Sequence, residues 1–401
     1  VPFGGPRGRE FTSMGEIRTP QEMLGQLISF NTISALSNKD MIKFIADYLA
    51  GHGINSSTGG NEDGTKADLI ATIGPNVEGG LVLSGHTDVV PVEGQDWHTD
   101  PFEMVEVGGR IYGRGTSDMK GFIAVALALV PEMLALPLVK PLHFVFSYDE
   151  EVGCLGAPGL IARLMRDKPK PRAAIIGEPT SMKLVNAHKG ITAFETRVIG
   201  KPGHSSQPHK GVNAIAVAAD CIRFLQDRAG SFEAGEGPRD ERFEPSHTTV
   251  SIGTIIGGTA NNIIAGECAF TWDVRAVVPE EGQRLRAALD AHCHNVLLPP
   301  LRRISPEADI ISKKFADVPP LVPSDDNPAE ALVRQLTGQN QAGAAAFGTE
   351  AGQFQEAGIP SVICGPGSVD QAHQPNEFVD QSQLAECADF IRKLAGWAAA
   401  N

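Results

Sequence analysis

Five short apolar runs, Leu69–Ile73, Leu81–Ser84, Leu142–Ser147, Ala173–Ile176 and Ser361–Cys364, constrain what this chain can fold into. Four of them run into residues able to bind metal or carry protons. Leu81–Ser84 leads to His86-Thr87-Asp88, Leu142–Ser147 to Asp149-Glu150-Glu151, the third through Gly177 to Glu178, and Ser361–Cys364 through a Gly-Pro-Gly turn to His373. Short runs of Leu and β-branched residues ended by turn formers read as strands buried on both faces. Helical segments, notably Gly121–Leu136 and Gly156–Arg166, fall between several of them. Strands alternating with helices predict an α/β catalytic domain around a central, mostly parallel sheet. In such a sheet the carboxyl ends of parallel strands share one edge, where ligands bind. The acids and histidines therefore converge on that edge.

The chain has 401 residues, too many for one ordinary core, so two domains are expected. Ahead of the first run, Pro20–Leu49 reads as two amphipathic helical stretches and Ser56–Asp68 as a polar, Gly-rich loop. Between residues 188 and 305 the pattern changes. Thr192–Ile199, Thr248–Ile256 and Glu267–Val274 alternate as half-exposed strands, while Gly211–Gln226 and Gly282–Leu297 read as helices. Asp227–His247 reads as a long loop or hairpin tip. The order strand, helix, strand, strand, helix predicts a small α+β, ferredoxin-like domain inserted between residues 1–187 and 306–401 of the larger one.

A net charge of −14 with no long run of Lys or Arg argues against nucleic acid as a partner. Phe122–Val139, the most apolar stretch, is broken by Pro131, Glu132 and Pro137, so no membrane span is expected. The N-terminus is polar and Gly-rich and shows no signal peptide; Met14 offers a start, so Val1–Ser13 read as an addition to the natural chain. Six scattered cysteines without a Cys-x-x-Cys pair suit a reducing cytoplasm.

Taken alone, each site residue has a plainer reading. Asp118 is placed to cap the helix that follows, Glu178 precedes Pro179 in a loop, and Asp149–Glu151 suits a solvated turn. Their convergence carries the argument. Carboxylates packed together take up protons unless cations sit among them. Two divalent ions would bring four positive charges, with Asp118 shared between them, Glu151 and Glu178 one to each, and His86 and His373 giving one imidazole each. This mixed donor set suits zinc, or a neighbour such as cobalt or manganese, better than magnesium or calcium. Asp88 is expected to take the ring proton of His86 and fix its tautomer. Glu150 stays unligated beside the ions, in position for a general base.

These residues lie in His86-Thr87-Asp88, Gly115-Thr116-Ser117-Asp118-Met119-Lys120-Gly121, Asp149-Glu150-Glu151, Gly177-Glu178-Pro179-Thr180 and Ala372-His373-Gln374-Pro375. Together the runs resemble the M20 family of co-catalytic metallopeptidases and deacylases, with all five ligand positions and the base position filled in order. Further runs, Ala187-His188-Lys189-Gly190, Gly203-His204-Ser205-Ser206, Gly348-Thr349-Glu350-Ala351 and Gly365-Pro366-Gly367-Ser368, are most similar to members that deacetylate N-acetylornithine. The resemblance implies hydrolysis of a small N-acyl amino acid, either N-acetylornithine or, as alternatives, succinyl-diaminopimelate or a broad set of acyl amino acids. It implies that the inserted domain is a lid and forms a homodimer, and that His204 closes over the metals to help stabilise the oxyanion. Arg275, Asn261 and Thr349 would hold the amino-acid end of the substrate. One departure is Asn261-Asn262-Ile263-Ile264, where the family has Asn-x-Ile-Pro. Neither a Gly-x-Gly-x-x-Gly, a Walker-type loop nor a Gly-x-Ser-x-Gly elbow occurs, which argues against nucleotide-dependent and serine-hydrolase chemistry.

Overall fold

A computed structural model describes residues 17–401; the expected addition at Val1–Ser13 lies outside them. The chain builds β1 (Ser56–Gly59), β2 (Asp68–Ile73), β3 (Leu81–His86), β4 (Leu142–Ser147), β5 (Ala173–Pro179) and β6 (Val185–His188). It then leaves for β7 (Gly190–Ile199), β8 (Thr249–Gly257), β9 (Glu267–Ala276) and β10 (Asp309–Val318) of a second sheet. It returns in β11 (Gly343–Ala345) and β12 (Ser361–Gly365). Across the larger sheet the order is β1-β2-β4-β3-β5-β12-β6-β11. Its four central strands, β4, β3, β5 and β12, run parallel.

Alternate side chains of these strands enter two cores. Leu81, Leu83, Phe144, Phe146 and Ile175 pack beneath the helices Pro20–Ile28, Lys39–Gly51, Lys120–Ala128 and Gln381–Ala400. Val82, Val145, Ala174 and Ile176 pack against Ala157–Asp167 and Ala351–Glu356. Burying each large apolar side chain is worth about 1.5–3 kcal/mol, so the continuous apolar runs are what fix the sheet in the middle of the layer.

The structure departs from the expected elements in four places. Ser56–Gly59, within the expected loop, pairs antiparallel with β2 as an edge strand, where polar residues are tolerated because one side stays in water. Gly121–Leu136 is not one helix but Lys120–Ala128 and Val130–Leu134, parted at Leu129 just before Pro131, which has no N–H to donate. The helix expected to end at Gln226 runs from Ala214 to Glu233, with Asp227 and Arg228 on its exposed side, so the loop begins only after it.

The fourth departure concerns the second sheet, whose order is β8-β9-β7-β10 with every pair antiparallel. Helices Ala214–Glu233 and Glu281–His292 cover one face, over Phe194, Phe270, Trp272 and Val274. Strand β10 lies past the expected boundary at 305 and yet supplies the fourth strand that completes a ferredoxin-like layer. Its alternation is broken by a bulge between Lys314 and Ala316, with Lys313, Lys314 and Phe315 all exposed, and this hides the strand in the sequence. Among the described residues no helix is long and apolar enough to cross a membrane.

Close packing reaches the edge of the larger sheet at Gly177, where a Cβ would come within 2.0 Å of Phe122 Cγ. Gly177→Ala is therefore expected to lower the unfolding free energy by about 1–3 kcal/mol in a urea titration. A change below about 0.5 kcal/mol, the size of a surface effect, would contradict this packing.

Candidate metal centre

At the carboxyl edge the strand order does what the sequence pattern requires. His86 ends β3, Glu178 lies in β5, and Glu150 and Glu151 occupy the turn after β4. Asp118 precedes the helix Lys120–Ala128 without capping it, since the N-cap residue is Met119 and no side chain caps there. His86 Nε2 lies 3.0 Å from Asp118 Oδ1 and 3.7 Å from Glu178 Oε1. His373 Nε2 lies 3.2 Å from the other Asp118 oxygen, Oδ2, and 3.0 Å from Glu151 Oε2. Ligand atoms of His86, Asp118 and Glu151 all fall within 4.8 Å of one another, as do those of His86, Glu150 and Glu178.

The tautomer of His86 is fixed differently from expectation. Its Nδ1–H donates to the backbone carbonyl of Asp88 at 2.9 Å, while the Asp88 carboxylate stays 3.7 Å away. That carboxylate instead accepts from Ser34 Oγ at 2.6 Å and from the backbone N–H groups of Glu150 at 3.1 Å and Glu151 at 3.3 Å. Asp88 thus holds the turn that carries Glu150 and Glu151. The chain just past the end of β3 places that carbonyl against the ring two residues earlier, a backbone detail that no residue pattern encodes. Asp149, with φ of 54°, is held from the other side by Lys66 at 2.8 Å.

Charge at the site is strongly out of balance. Burial, and then the charge of Asp118, pushes the Glu178 carboxyl well above the usual carboxylate range and Glu151 up to about 7. Burial likewise raises Glu150 well above that range, with Glu151 and Asp118 adding to it and His86 opposing. Hydrogen bonds to Asp118 and Glu151 lift His373 to about 10. For Asp118 burial acts upward, but the hydrogen bonds from His373 and His86 win and hold its carboxyl low. Among the described residues, Glu151 Oε1 and Glu178 Oε1 are buried without a hydrogen-bond partner. Two orphaned carboxylate oxygens beside two imidazole nitrogens and a shared Asp118 fit a pair of divalent cations. One would be held by His86, Asp118 and Glu178, the other by Asp118, Glu151 and His373.

The site opens into a cavity of about 480 Å³ between the two sheets. Asp118, Glu150, Glu151, Glu178 and His373 line one side, and Ile191, Asp273, Arg275 and Phe315 of the second sheet line the other. Arg275 is among these as expected, and its Nε lies 3.2 Å from Asp273 Oδ1. The other residues expected to hold substrate or oxyanion, Thr349, Asn261 and His204, are not in the lining. Thr349 is fully buried and its Oγ1 accepts from the Ala351 N–H at 3.0 Å, so it shapes the turn while its neighbour Gly348 faces the cavity. Asn261 and His204 are exposed, with His204 Nδ1 accepting from the Ser206 N–H at 3.2 Å.

Sequence reasoning missed Glu377, Arg114 and Cys154. Glu377 is buried and accepts from Arg114, at 2.8 Å, and from the backbone N–H groups of Gly115, Ser117 and Asp118. Cys154 Sγ donates to Glu150 Oε1 at 3.3 Å. A signal was available for the first two: an Arg flanked by glycines, and a Glu four residues after His373, both beside ligand motifs.

Stripped of metal, the protein is expected to lose thermal stability as pH rises from about 5 to about 9. Glu151 and His373 hold protons more tightly folded than unfolded. The stability they contribute is complete below their ordinary values of 4.5 and 6.5 and is lost as pH passes the folded values of about 7 and about 10. Saturating zinc should abolish the decline. A chelated protein whose melting temperature is flat or rises over this range would contradict the assignment.

The geometry agrees with what the chain is similar to. A model of peptidase family M20/M25/M40 matches residues 82–396. Acetylornithine deacetylase of Pasteurella multocida is 33% identical over 392 residues, covering 96% of this chain and 99% of the relative. That of Proteus mirabilis is 34% identical over 380 residues, covering 93% and 95%. Among solved structures, an M20 family metallo-carboxypeptidase from Sulfolobus solfataricus superposes with a TM-score of 0.73 at 16% identity, over 96% of this chain and all of the other. A dinuclear metal-binding peptidase of the M20 family from Bacillus subtilis gives 0.61 at 18% identity, over 94% and 97%. With a family match across most of its length and residues able to hold metal gathered at one sheet edge, the chain belongs to the M20 family of metallohydrolases.

Proposed function

We propose that this enzyme hydrolyses N-acetylornithine to acetate and ornithine, a step of arginine biosynthesis, in the cytoplasm. The observation that carries the reading is one cavity with Glu150 and the paired carboxylates on one wall and Arg275 on the other. The relatives that bear the name acetylornithine deacetylase, aligned over nearly the whole chain, add support.

His86, Asp118 and Glu178 would hold one zinc or cobalt ion and Asp118, Glu151 and His373 a second, which would supply Lewis-acid chemistry toward the acyl carbonyl and a more acidic attacking water. Glu150 takes the proton of that water and returns it to the amine nitrogen as the C–N bond breaks. Cys154 keeps one oxygen of Glu150 oriented through its S–H. Arg275 donates to Asp273 through Nε, which leaves the outer edge of its guanidinium for the α-carboxylate of the substrate. Asn261 and His204 are assigned to the substrate and the oxyanion on closure of the lid, residues 188 to the end of β10, or from a second copy of the chain. Dimerisation through the lid is supported by β8, an edge strand on which Ile255 and Ile256 are exposed.

A second reading has its own support. Ile191, Phe315, Phe347 and Val369 give the cavity a largely apolar wall, which favours a broad deacylase of apolar acyl amino acids. Turnover of N-acetylornithine, N-succinyl-diaminopimelate and N-acetylmethionine separates the readings. We expect kcat/KM for N-acetylornithine to exceed the others at least about tenfold; a preference for N-acetylmethionine would establish the second reading instead. Glu150→Gln should lower kcat by about 10²–10⁴-fold with two equivalents of metal retained. Near-normal activity in that variant would remove Glu150 as the base.

A further inference from the structure

His373 is the most exposed of the metal-binding side chains, at 52%, and its backbone has a φ of 64°. Little packing holds its ring, so its place must come from its backbone. That backbone is tied to a segment the metal chemistry does not use, residues 91–98. Gln95 Nε2 donates to the carbonyl of His373 at 2.9 Å. The His98 N–H donates to Asn376 Oδ1 at 2.8 Å, and Asn376 Nδ2 to the Asp96 carbonyl at 3.3 Å. Gln95 is itself held through Oε1, which accepts from Trp97 Nε1 at 3.0 Å and from Arg114 Nη2 at 2.5 Å.

Arg114 joins this segment to Asp118. It lies fully buried, with its guanidinium carbon 5.1 Å from the Trp97 ring centroid. Through Nη1 it donates to Glu377 Oε2 at 2.8 Å and to the Gln374 carbonyl at 3.3 Å. Glu377 accepts in turn from the Gly115, Ser117 and Asp118 N–H groups at 3.0, 2.8 and 3.0 Å. A continuous chain of hydrogen bonds therefore runs from the backbone of Asp118 through Glu377, Arg114 and Gln95 to the backbone of His373. These two residues hold one metal seat with Glu151, and they come from segments more than 250 positions apart.

We propose that Gln95, Arg114, Asn376 and Glu377 form a cross-brace of positioning residues that sets the span between Asp118 and His373, and that its Gln95 and Asn376 ties, which reach only the His373 segment, set the affinity of the His373 seat. The proposal rests on the dinuclear reading of the site. The other seat shares Asp118 but takes His86 and Glu178 from β3 and β5, whose positions the parallel ladder fixes without Gln95 or Asn376.

Gln95→Glu isolates the key bond, since a carboxylate still accepts from Trp97 and Arg114 but cannot donate to the His373 carbonyl. Asn376→Gly removes the second tie while keeping a residue that accepts positive φ. Chelated full-length protein is titrated with cobalt, following heat and the visible absorption of the bound ion. The parent should take up two equivalents. Each variant should bind one of the two at least about tenfold more weakly, with the other unchanged, as removal of an outer partner of a ligand typically does. Parent-like affinity for both ions in both variants overturns the brace. So does equal weakening of both seats, which would mark general loosening. A parent that takes up fewer than two equivalents overturns the dinuclear reading itself.

Discussion

The two oxygens of Asp118 face different histidines, and the site depends on that division. Oδ1 meets His86 from β3, and Oδ2 meets His373 from the loop after β12. A carboxylate shared in this way lets three carboxylates serve two seats that would otherwise need four. It also explains why the surrounding acids differ so much from one another. Asp118, touched by both imidazoles, stays ionised, whereas Glu150, Glu151 and Glu178 are driven toward their protonated forms by burial and mutual repulsion. Cations placed among them reverse that preference.

Holding such a cluster together requires bonds that do not depend on the metal. The protein supplies them from behind the ligands. Asp88 binds the backbone of Glu150 and Glu151, Lys66 fixes Asp149, and Glu377 gathers three backbone N–H groups around Asp118. Glu377 and Asp88 are buried carboxyl groups, and a buried polar group is tolerated only with hydrogen-bond partners in good geometry. Their partners are here mostly backbone amides, which cannot move away without unfolding the turn. The ligand geometry is therefore coupled to the stability of the loops themselves.

How much of this was legible in the sequence depends on whether the information is periodic or local. Apolar runs ending in His86, Glu151, Glu178 and His373 announced both the parallel sheet and its chemical edge, because strand burial and strand ends leave direct marks on residue order. The residues behind them left only a weaker mark. Arg114 and Glu377 stand beside ligand motifs, but they are distant from each other in sequence, and their pairing acquires meaning only once β12 lies beside β5. Hydrogen bonding by the backbone of Asp88, rather than its side chain, has no residue signature at all. Strand β10 was obscured for a different reason: a bulge at Phe315 breaks the two-residue period and turns three consecutive side chains outward. Thr349 was misplaced because a motif gives chain position but not the direction a buried turn faces. The same bulge that hid β10 places Phe315 at the cavity, so the irregular part of the second sheet lies next to the candidate metal centre.

Two sheets thus contribute unlike things: a rigid parallel edge bearing charge, and a half-exposed antiparallel face bearing Arg275 and apolar side chains. Both line one cavity, and the proposed pair of cations sharing one carboxylate would sit on its charged side. The most direct measurement of that claim is the cobalt content and spin coupling of Asp118→Ala beside the parent, by equilibrium dialysis and electron paramagnetic resonance. The account predicts a magnetically coupled pair in the parent and weakened binding at both seats in the variant. Loss of one ion with the other bound at parental affinity, or two uncoupled ions in the parent, would contradict it.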